Sequence, residues 1–566
     1  MSMLSIRDLV PLRALESPSS SAVFSALVQL LTPLAITLGT YTLYKVAKFV
    51  WTEYVENPLR DFPGPPSPSW IYGNVQQIRN AENLAMHEQW VREYGTTVKY
   101  KGFLGLRRLF TVDLKAINHI LMNNQVYQKP EQSRFFLRRL LGDGILIVEG
   151  EKHREQRRVM NPGFGASQIR ELTEIFVEKA LELRDVWAAE VKKQAQGEEQ
   201  TARINVLSGL SKMTLDVIGL AGFDYKFNAL QGEKSELNEA FNTVFSTRPS
   251  IMTVFLKTLM GRLSFLIPAE GDKATHKARA TMDRIGNQLL NESKAALAGA
   301  SKGNDERLRK RDLLSLLLKA NMSTDVPENQ RMSDQDVLAQ VPTFLVAGHE
   351  TTSTGTTWAL YALSLRPDIQ SKLREELYTI STDNPSMDEL NALPYLDATV
   401  RETLRVHSPV PSTMRVAVKD DVIPVGTPFV DRMGRVRDSI PVQKGQKLLI
   451  PILVINRATE IWGPDAREFK PERWESVPEG ASAVPGVWGN LLTFLGGPRA
   501  CIGYRFSLVE MKALLFTLIR AFEFKLAVSP DEIGQKTGMV QRPILINNLK
   551  AGVQMPLLVT PYVHIL

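Results

Sequence analysis

The chain holds 566 residues, 44% of them hydrophobic and 23% charged, a balance that builds a large core and excludes a disordered polymer. Its net charge of +7 suits acidic proteins and membrane surfaces, but no Lys/Arg stripe with interleaved aromatics and no zinc-finger spacing occurs, so no nucleic-acid partner is expected. A single cysteine, Cys501, excludes an intramolecular disulfide, cysteine-rich zinc sites and iron–sulfur clusters, and points to a reducing compartment.

Residues 22–44 carry no charge, and a helix crossing the hydrocarbon core needs roughly 20 such residues. A cleaved signal peptide has a shorter apolar core followed by small residues; here Lys45, Lys48 and Trp51 follow. The segment is therefore expected to be a transmembrane anchor, the alternative being a buried helix of a soluble body. Arg7 and Arg13 precede it, whereas Lys45, Lys48 and Arg60 follow more closely, which places the C-terminal part in the cytosol. The sequons at Asn291 and Asn321 then never meet the glycosylation machinery. Four regions follow: a lumenal tail (1–21), the anchor (22–44), a basic flank with a proline-rich elbow (45–70) and a catalytic domain (71–566). The elbow runs Phe62-Pro63-Gly64-Pro65-Pro66-Ser67-Pro68, where proline imposes extended chain; a plain linker would look the same.

From Asn83 onward helical periodicity dominates. Long amphipathic helices are predicted over 167–191 and 214–222. A further helix is predicted from a cap at Ser333-Asp334-Gln335-Asp336 to about Leu365, with a kink at Pro342 and an end at Arg366-Pro367. Helices over 368–378, 395–406 and 502–522 complete the set. Strands are short: 97–100, 109–112, 448–452 and 524–527. The charge-rich stretch 299–311 reads as a loop. No repeat and no regular βαβ rhythm appears, so the fold class is mainly α with small β-sheets.

The most specific motif is Phe494-Leu495-Gly496-Gly497-Pro498-Arg499-Ala500-Cys501-Ile502-Gly503. Two glycines and a proline impose a tight loop ahead of a predicted helix, placing Cys501 at a helix N-terminus, where free N–H groups favour a thiolate. A thiolate pushes electron density onto haem iron, and Arg499 is placed to meet a haem propionate. A lone cysteine is usually an inert core residue, but the spacing of Phe494, Gly496, Arg499, Cys501 and Gly503 resembles the haem-binding loop of the cytochrome P-450 family. The resemblance covers nearly all of the chain after the anchor. Leu495 departs from it, since the family usually has Ser or Gly there.

The resemblance implies the cytochrome P-450 fold with an N-terminal transmembrane helix, and heme b held by Cys501, with Phe494 and Gly503 shaping the loop. In Ala347-Gly348-His349-Glu350-Thr351-Thr352 it implies an oxygen-binding helix. There Ala347 and Gly348 admit the haem, Thr351 hydrogen-bonds dioxygen, Glu350 lies on the proton route, and Thr352 is a lesser candidate. Back-bonding of the hydroxyls to the preceding turn is the plainer alternative. Glu402 and Arg405, three apart on one helix face, would join Arg473 of Pro471-Glu472-Arg473-Trp474 in a buried structural network; an ordinary surface pair is the alternative. His153 and Arg157, four apart on one face, and Arg415 would contact haem propionates, while Arg154 and Arg158 read as a solvated basic face.

The implied function is monooxygenation of a lipophilic substrate, terpenoid or sterol-like by association with fungal members and secondary metabolism. Its site is expected near 127–147, 227–266, 343–352 and 408–414. No nicotinamide or flavin fingerprint occurs, so electrons are expected from NADPH–cytochrome P-450 reductase in the endoplasmic reticulum membrane, with cytochrome b5 as a second donor. The competing readings are a haem-thiolate isomerase or dehydratase that needs no reductase, and a non-catalytic haem sensor.

Overall fold

The computed structural model describes residues 20–564 except 82–83, 196–199, 234–235, 237–238, 240–249, 261–271, 301–311, 323–330 and 537. The tail before residue 20, most of the loop expected at 299–311 and part of the substrate region expected at 227–266 lie outside the described residues. The chain divides into two compact units, Met1–Arg60 and Asp61–Leu566.

In the first unit the uncharged stretch lies inside a longer helix, Ser20–Trp51, which continues through Lys45 and Lys48 and carries Pro33 within it. Its apolar side chains point outward: Leu34, Ile36, Leu38 and Leu43 are 62–70% exposed. Among the described residues, the one helix whose length and apolarity would let it cross a membrane is a different one, Val206–Phe223. It belongs to the second unit, where Leu210, Met213 and Val217 are fully buried, so it is a core helix.

The second unit is mainly helical. Its core surrounds the helix Gln340–Leu365, packed against Val206–Phe223 and Tyr504–Ala521, with Ala166–Gln194 behind them. The helix expected from Ser333 is two helices. Ser333 caps Asp334–Leu338 by accepting from the Asp336 N–H, and Gln340–Leu365 starts anew after Ala339. Pro342 sits in the first turn of the second helix, where a missing N–H costs nothing, so the chain breaks there instead of kinking. The 214–222 prediction was short by two turns at its start, because Val206, Leu207 and Leu210 extend the same buried face.

Short sheets frame the helices. Five strands run in the order Thr97–Lys101, Arg107–Thr111, Lys447–Ile450, Thr413–Ala417, Tyr127–Gln128. The Arg107–Thr111/Lys447–Ile450 pair is parallel and the others antiparallel. Ala202–Asn205, Pro556–Pro561 and Phe522–Leu526 form a three-stranded sheet. Two hairpins went unpredicted: Asp421–Val430 with Val436–Val442, and Ile533–Lys536 with Arg542–Leu545. The first turns through Gly434 at φ +78°, while Asp431 accepts from the Met433 and Arg435 N–H groups and both neighbouring guanidiniums. Asn321, one of the sequons, is buried with its amide bonded to the Met332 backbone at 2.9 and 2.6 Å.

Candidate active site

The cysteine loop is built by close backbone approach. A Cβ on Gly496 would lie 1.8 Å from the Pro485 carbonyl oxygen, and Gly497, at φ +69°, would put one 2.7 Å from that of Leu121. These two glycines are obligatory; at Gly503 a Cβ would meet only the Phe164 ring, at an ordinary 3.6 Å. Leu495 occupies the left-handed region at φ +55°, where a glycine would be unstrained. The Phe494 ring packs on Trp488 and Tyr504 at 5.8 and 6.0 Å, and the Phe494 carbonyl accepts from the Cys501 N–H at 2.9 Å.

Cys501 does not sit in the first turn of a helix as expected. The tight turn Gly497–Arg499 delays the helix until Tyr504, with Gly503 as its cap. The thiol takes a hydrogen bond from the Gly503 N–H and feels the Arg157 charge, yet burial outweighs both and pushes it up. The N–H and the guanidinium alone do not offset burial of the thiol. Cys501 keeps accessible surface although protein packs densely around its thiol, and its neighbours Phe494 and Ala500 are buried.

Around this loop the interior is crowded with cations. Arg499 donates to the Val148 carbonyl at 2.6 Å and pairs with Glu149, the only anion paired in the cluster among the described residues. Arg415 is buried and, among the described residues, donates only to Thr413 Oγ1 at 2.8 Å and the Met414 carbonyl at 3.0 Å. Burial lowers both guanidiniums to about 10. Lys129 donates to the Leu146 carbonyl at 2.5 Å, and burial followed by Arg499, Arg415 and Arg134 pushes its ammonium well down. The Arg134 Nε is buried without a partner among the described residues. His153 is buried beside them, lowered to about 4 by burial first and then by Lys129 and Arg157. Uncompensated buried cations are costly, and this set fits a ligand that brings carboxylates. Lys129 and Arg134 were missed in the sequence, where they read as ordinary charges beside Pro130. His153 and Arg157 share a helix but diverge: Arg157 leaves the cluster and donates to the Ala500 carbonyl at 2.5 Å, bracing the cysteine loop.

Across the core, Ala347 and Thr351 form an accessible strip on Gln340–Leu365 flanked by the buried Phe344 and Thr352. The Thr351 hydroxyl donates back to the Ala347 carbonyl at 2.7 Å. Gly348 does not serve that strip, contrary to expectation: a Cβ there would lie 2.9 Å from the Ile218 side chain, so its smallness seats the neighbouring helix. Thr352 turns away, donating to Ser507 Oγ at 3.2 Å beside Glu510, whose carboxyl burial pushes far above the usual range. Glu350 lies between Arg542, with which it pairs, and His349 Nε2 at 3.4 Å.

Beneath the cysteine loop, Arg405 grips Glu402 through Nε at 2.9 Å and Nη2 at 2.8 Å, with both side chains fully buried. Glu402 also accepts from the Lys470 N–H, Trp474 Nε1 and, at 3.4 Å, Arg473 Nε. Arg405 further donates to the Asn456 carbonyl at 3.0 Å. Asn456, unnoticed in the sequence, bonds the Leu492 N–H and Thr493 Oγ1 at 3.0 and 2.9 Å, carrying the network to the residue before Phe494. On the surface beside the loop a cleft of about 870 Å³ is lined by His153, Arg154, Arg157, Arg158, Gly497 and Pro498. Arg154 is paired with Glu151 at 2.7 Å.

Comparison with known proteins agrees with this geometry. The family model Cytochrome P-450 matches residues 63–549. Cytochrome P-450 monooxygenase 205 of Postia placenta is 58% identical over 89% of this chain and 93% of its own. Cytochrome P-450 monooxygenase 128 of the same fungus is 52% identical over 94% and 97%. Cytochrome P-450 monooxygenase claW of Ampulloclitocybe clavipes is 35% identical over 88% and 92%. With this coverage, the chain belongs to the cytochrome P-450 family of haem-thiolate monooxygenases.

Proposed function

We propose that this chain is a membrane-anchored monooxygenase that oxidises a lipophilic substrate, terpenoid or sterol-like, with electrons from NADPH–cytochrome P-450 reductase. The observation that carries the reading is the pairing of an accessible Cys501 with a separate accessible strip, Ala347 and Thr351, backed by Glu350. A haem-thiolate isomerase has little need of that acid and hydroxyl. Haem supplies the site that binds and activates dioxygen. Cys501 would hold its iron through the thiolate, and Arg157 braces that loop through the Ala500 carbonyl. Lys129, Arg134, Arg415 and Arg499 would receive its carboxylates, with His153 beside them. Thr351 would hold a water and its proton at the accessible strip, and Glu350 would exchange that proton with solvent.

The basic cleft at Arg154, Arg157 and Arg158 supports an encounter with an acidic donor, the reductase and secondarily cytochrome b5. The helix Ser20–Trp51, about 48 Å long at 1.5 Å per residue, with apolar side chains facing outward over residues 31–51, supports a single-pass anchor in the endoplasmic reticulum with a cytosolic catalytic body. The test is a reconstituted assay. Reduced holoenzyme with carbon monoxide should show the red-shifted Soret band of a thiolate ligand, lost in Cys501→Ala. Turnover of a screened lipophilic library should require both reductase and NADPH. Product formed without either would establish the isomerase reading instead. Protease added to sealed microsomes should digest the body, and its full protection would overturn the orientation.

A further inference from the structure

The catalytic body begins against the tip of a hairpin. Asp61-Phe62-Pro63-Gly64 runs between the edge strand Thr97–Lys101 and the turn that joins Asp421–Val430 to Val436–Val442. The Lys99 N–H donates to the Pro63 carbonyl at 2.9 Å, and the Arg432 N–H to the Asp61 carbonyl at 2.8 Å. The Arg432 guanidinium donates to the Gly64 carbonyl, and the Phe62 and Phe429 rings meet edge to face at 5.1 Å. Asp61 pairs with Arg435 at 2.6 Å, while Asp431, buried at the turn, takes Arg435 and Arg437 at 2.9 Å each. These contacts fix the turn to the first residues of the body.

Where it meets solvent, the same tip is both apolar and basic. Val430, Met433 and Val436 are 58%, 68% and 72% exposed, with Val430 and Val436 opposite each other across the hairpin. Arg432 is exposed beside them, and Lys101 faces Arg107 across the adjoining strands. Burial, then Arg432, Arg107 and Lys101, press the Lys99 ammonium down to about 8, and among the described residues Asp61 alone opposes them. That acid is itself engaged by Arg435. Apolar side chains ringed by arginine and lysine suit the boundary of an anionic leaflet, where the former enter the acyl region and the latter meet headgroups. The place of this tip in the chain favours a lipid over a soluble partner. Asp61 stands ten residues beyond Trp51, the end of the helix read as the anchor, and ten residues of chain reach at most about 36 Å.

We propose that the hairpin tip, Val430 to Val436, enters the membrane surface and that Lys101, Arg107 and Arg432 bind there the headgroup of an anionic phospholipid, whose charge no choline offsets. The contact is selective for lipid class, which a hydrophobic anchor is not, so the composition of the leaflet decides whether this end of the body is held down. The inference rests on the reading of Ser20–Trp51 as a membrane anchor.

The test uses full-length holoenzyme in lipid nanodiscs of phosphatidylcholine alone or with phosphatidylserine. Cys501 is the only cysteine of the chain, so with haem in place Met433→Cys offers one new thiol for a fluorophore. Lipids brominated high on the acyl chains should quench that fluorophore severalfold more strongly in the phosphatidylserine discs. Lys101→Gln with Arg107→Gln should abolish the difference at equal haem content, and Lys101→Arg with Arg107→Lys, which keeps both charges, should retain it. Equal quenching in the two kinds of disc, in a chain that alkaline carbonate leaves in the membrane, would overturn this inference alone. Loss of the difference on adding millimolar inorganic phosphate at constant ionic strength would assign the cations to free phosphate and overturn the lipid as their occupant. Release of the chain by alkaline carbonate would overturn the anchor reading, and this inference with it.

Discussion

Removing the Glu402 carboxylate is the severest single perturbation that the site offers. In Glu402→Ala, Arg405 loses its bidentate partner while its whole side chain stays buried, and Arg473 loses one of its two carboxylates, keeping Asp465 at 2.7 Å. Trp474 Nε1 and the Lys470 N–H lose their acceptor as well. An orphaned buried charge costs about 3–5 kcal/mol, and the lost neutral hydrogen bonds add about 1 kcal/mol each. That is a large part of a typical total stability of about 5–15 kcal/mol. The damage is also aimed: Arg405 orients Asn456, and Asn456 holds Leu492 and Thr493, just before Phe494. The expected outcome is a polypeptide that loads little haem, measured as the red-shifted carbon monoxide band per mole of chain, with a lowered melting temperature. Arg405→Ala should behave alike. The double variant should cost much less than the sum of the two, because it leaves no unpaired partner. Full haem content and an unchanged melting temperature in both single variants would refute the reasoning and reduce the pair to an ordinary salt bridge.

Thr351→Ala should keep haem and reductase-dependent NADPH consumption but release severalfold more peroxide per NADPH; an unchanged ratio would remove the hydroxyl from the proton route. Gly348→Ala should destabilise the body by about 1–3 kcal/mol by overpacking against Ile218, and the added Ile218→Val should recover part of the loss in thermal unfolding. His87 is buried among Trp90, Tyr100 and Phe110 with both ring nitrogens unpartnered, and burial lowers it to about 3. The unfolded chain binds that proton from pH 6.5 downward and the folded chain does not, so stability is intact above 6.5 and falls as the pH drops toward 3. His87→Phe should flatten the stability profile over that window, and an equal slope in both proteins would refute the assignment. Reductase-dependent turnover at limiting reductase should fall as salt rises, because encounter at the Arg154–Arg158 surface is screened beyond about 8–10 Å at physiological ionic strength; indifference to salt would exclude charge steering there.

Much of this architecture was readable in one dimension. The cysteine loop and the Glu402–Arg405 pair declared themselves because their constraints are local: glycines where no Cβ fits, and an acid and a base on one helical face. The hairpins escaped because their strands alternate weakly and gain their partners from distant chain. Gly348 was misread for the same reason: its demand comes from Ile218, 130 positions away, and nothing in the flanking residues announces it. Lys129, Arg134 and Arg542 look like surface charges in sequence, and only tertiary packing turns them inward. At Cys501 the local reading placed the residue but not the helix start, because the turn Gly497–Arg499 delays the helix until Tyr504.

The crowd of buried cations around the cysteine loop bears on how the protein comes into being. Among the described residues the side chains of Lys129, Arg134 and Arg415 meet no carboxylate, and Glu149 answers Arg499 alone. Haem carboxylates would complete that balance, so folding of this region and capture of haem should be coupled. A cell short of haem should therefore hold less of the polypeptide, with the unfilled chain diverted to degradation, and the supply of pigment should set the level of enzyme.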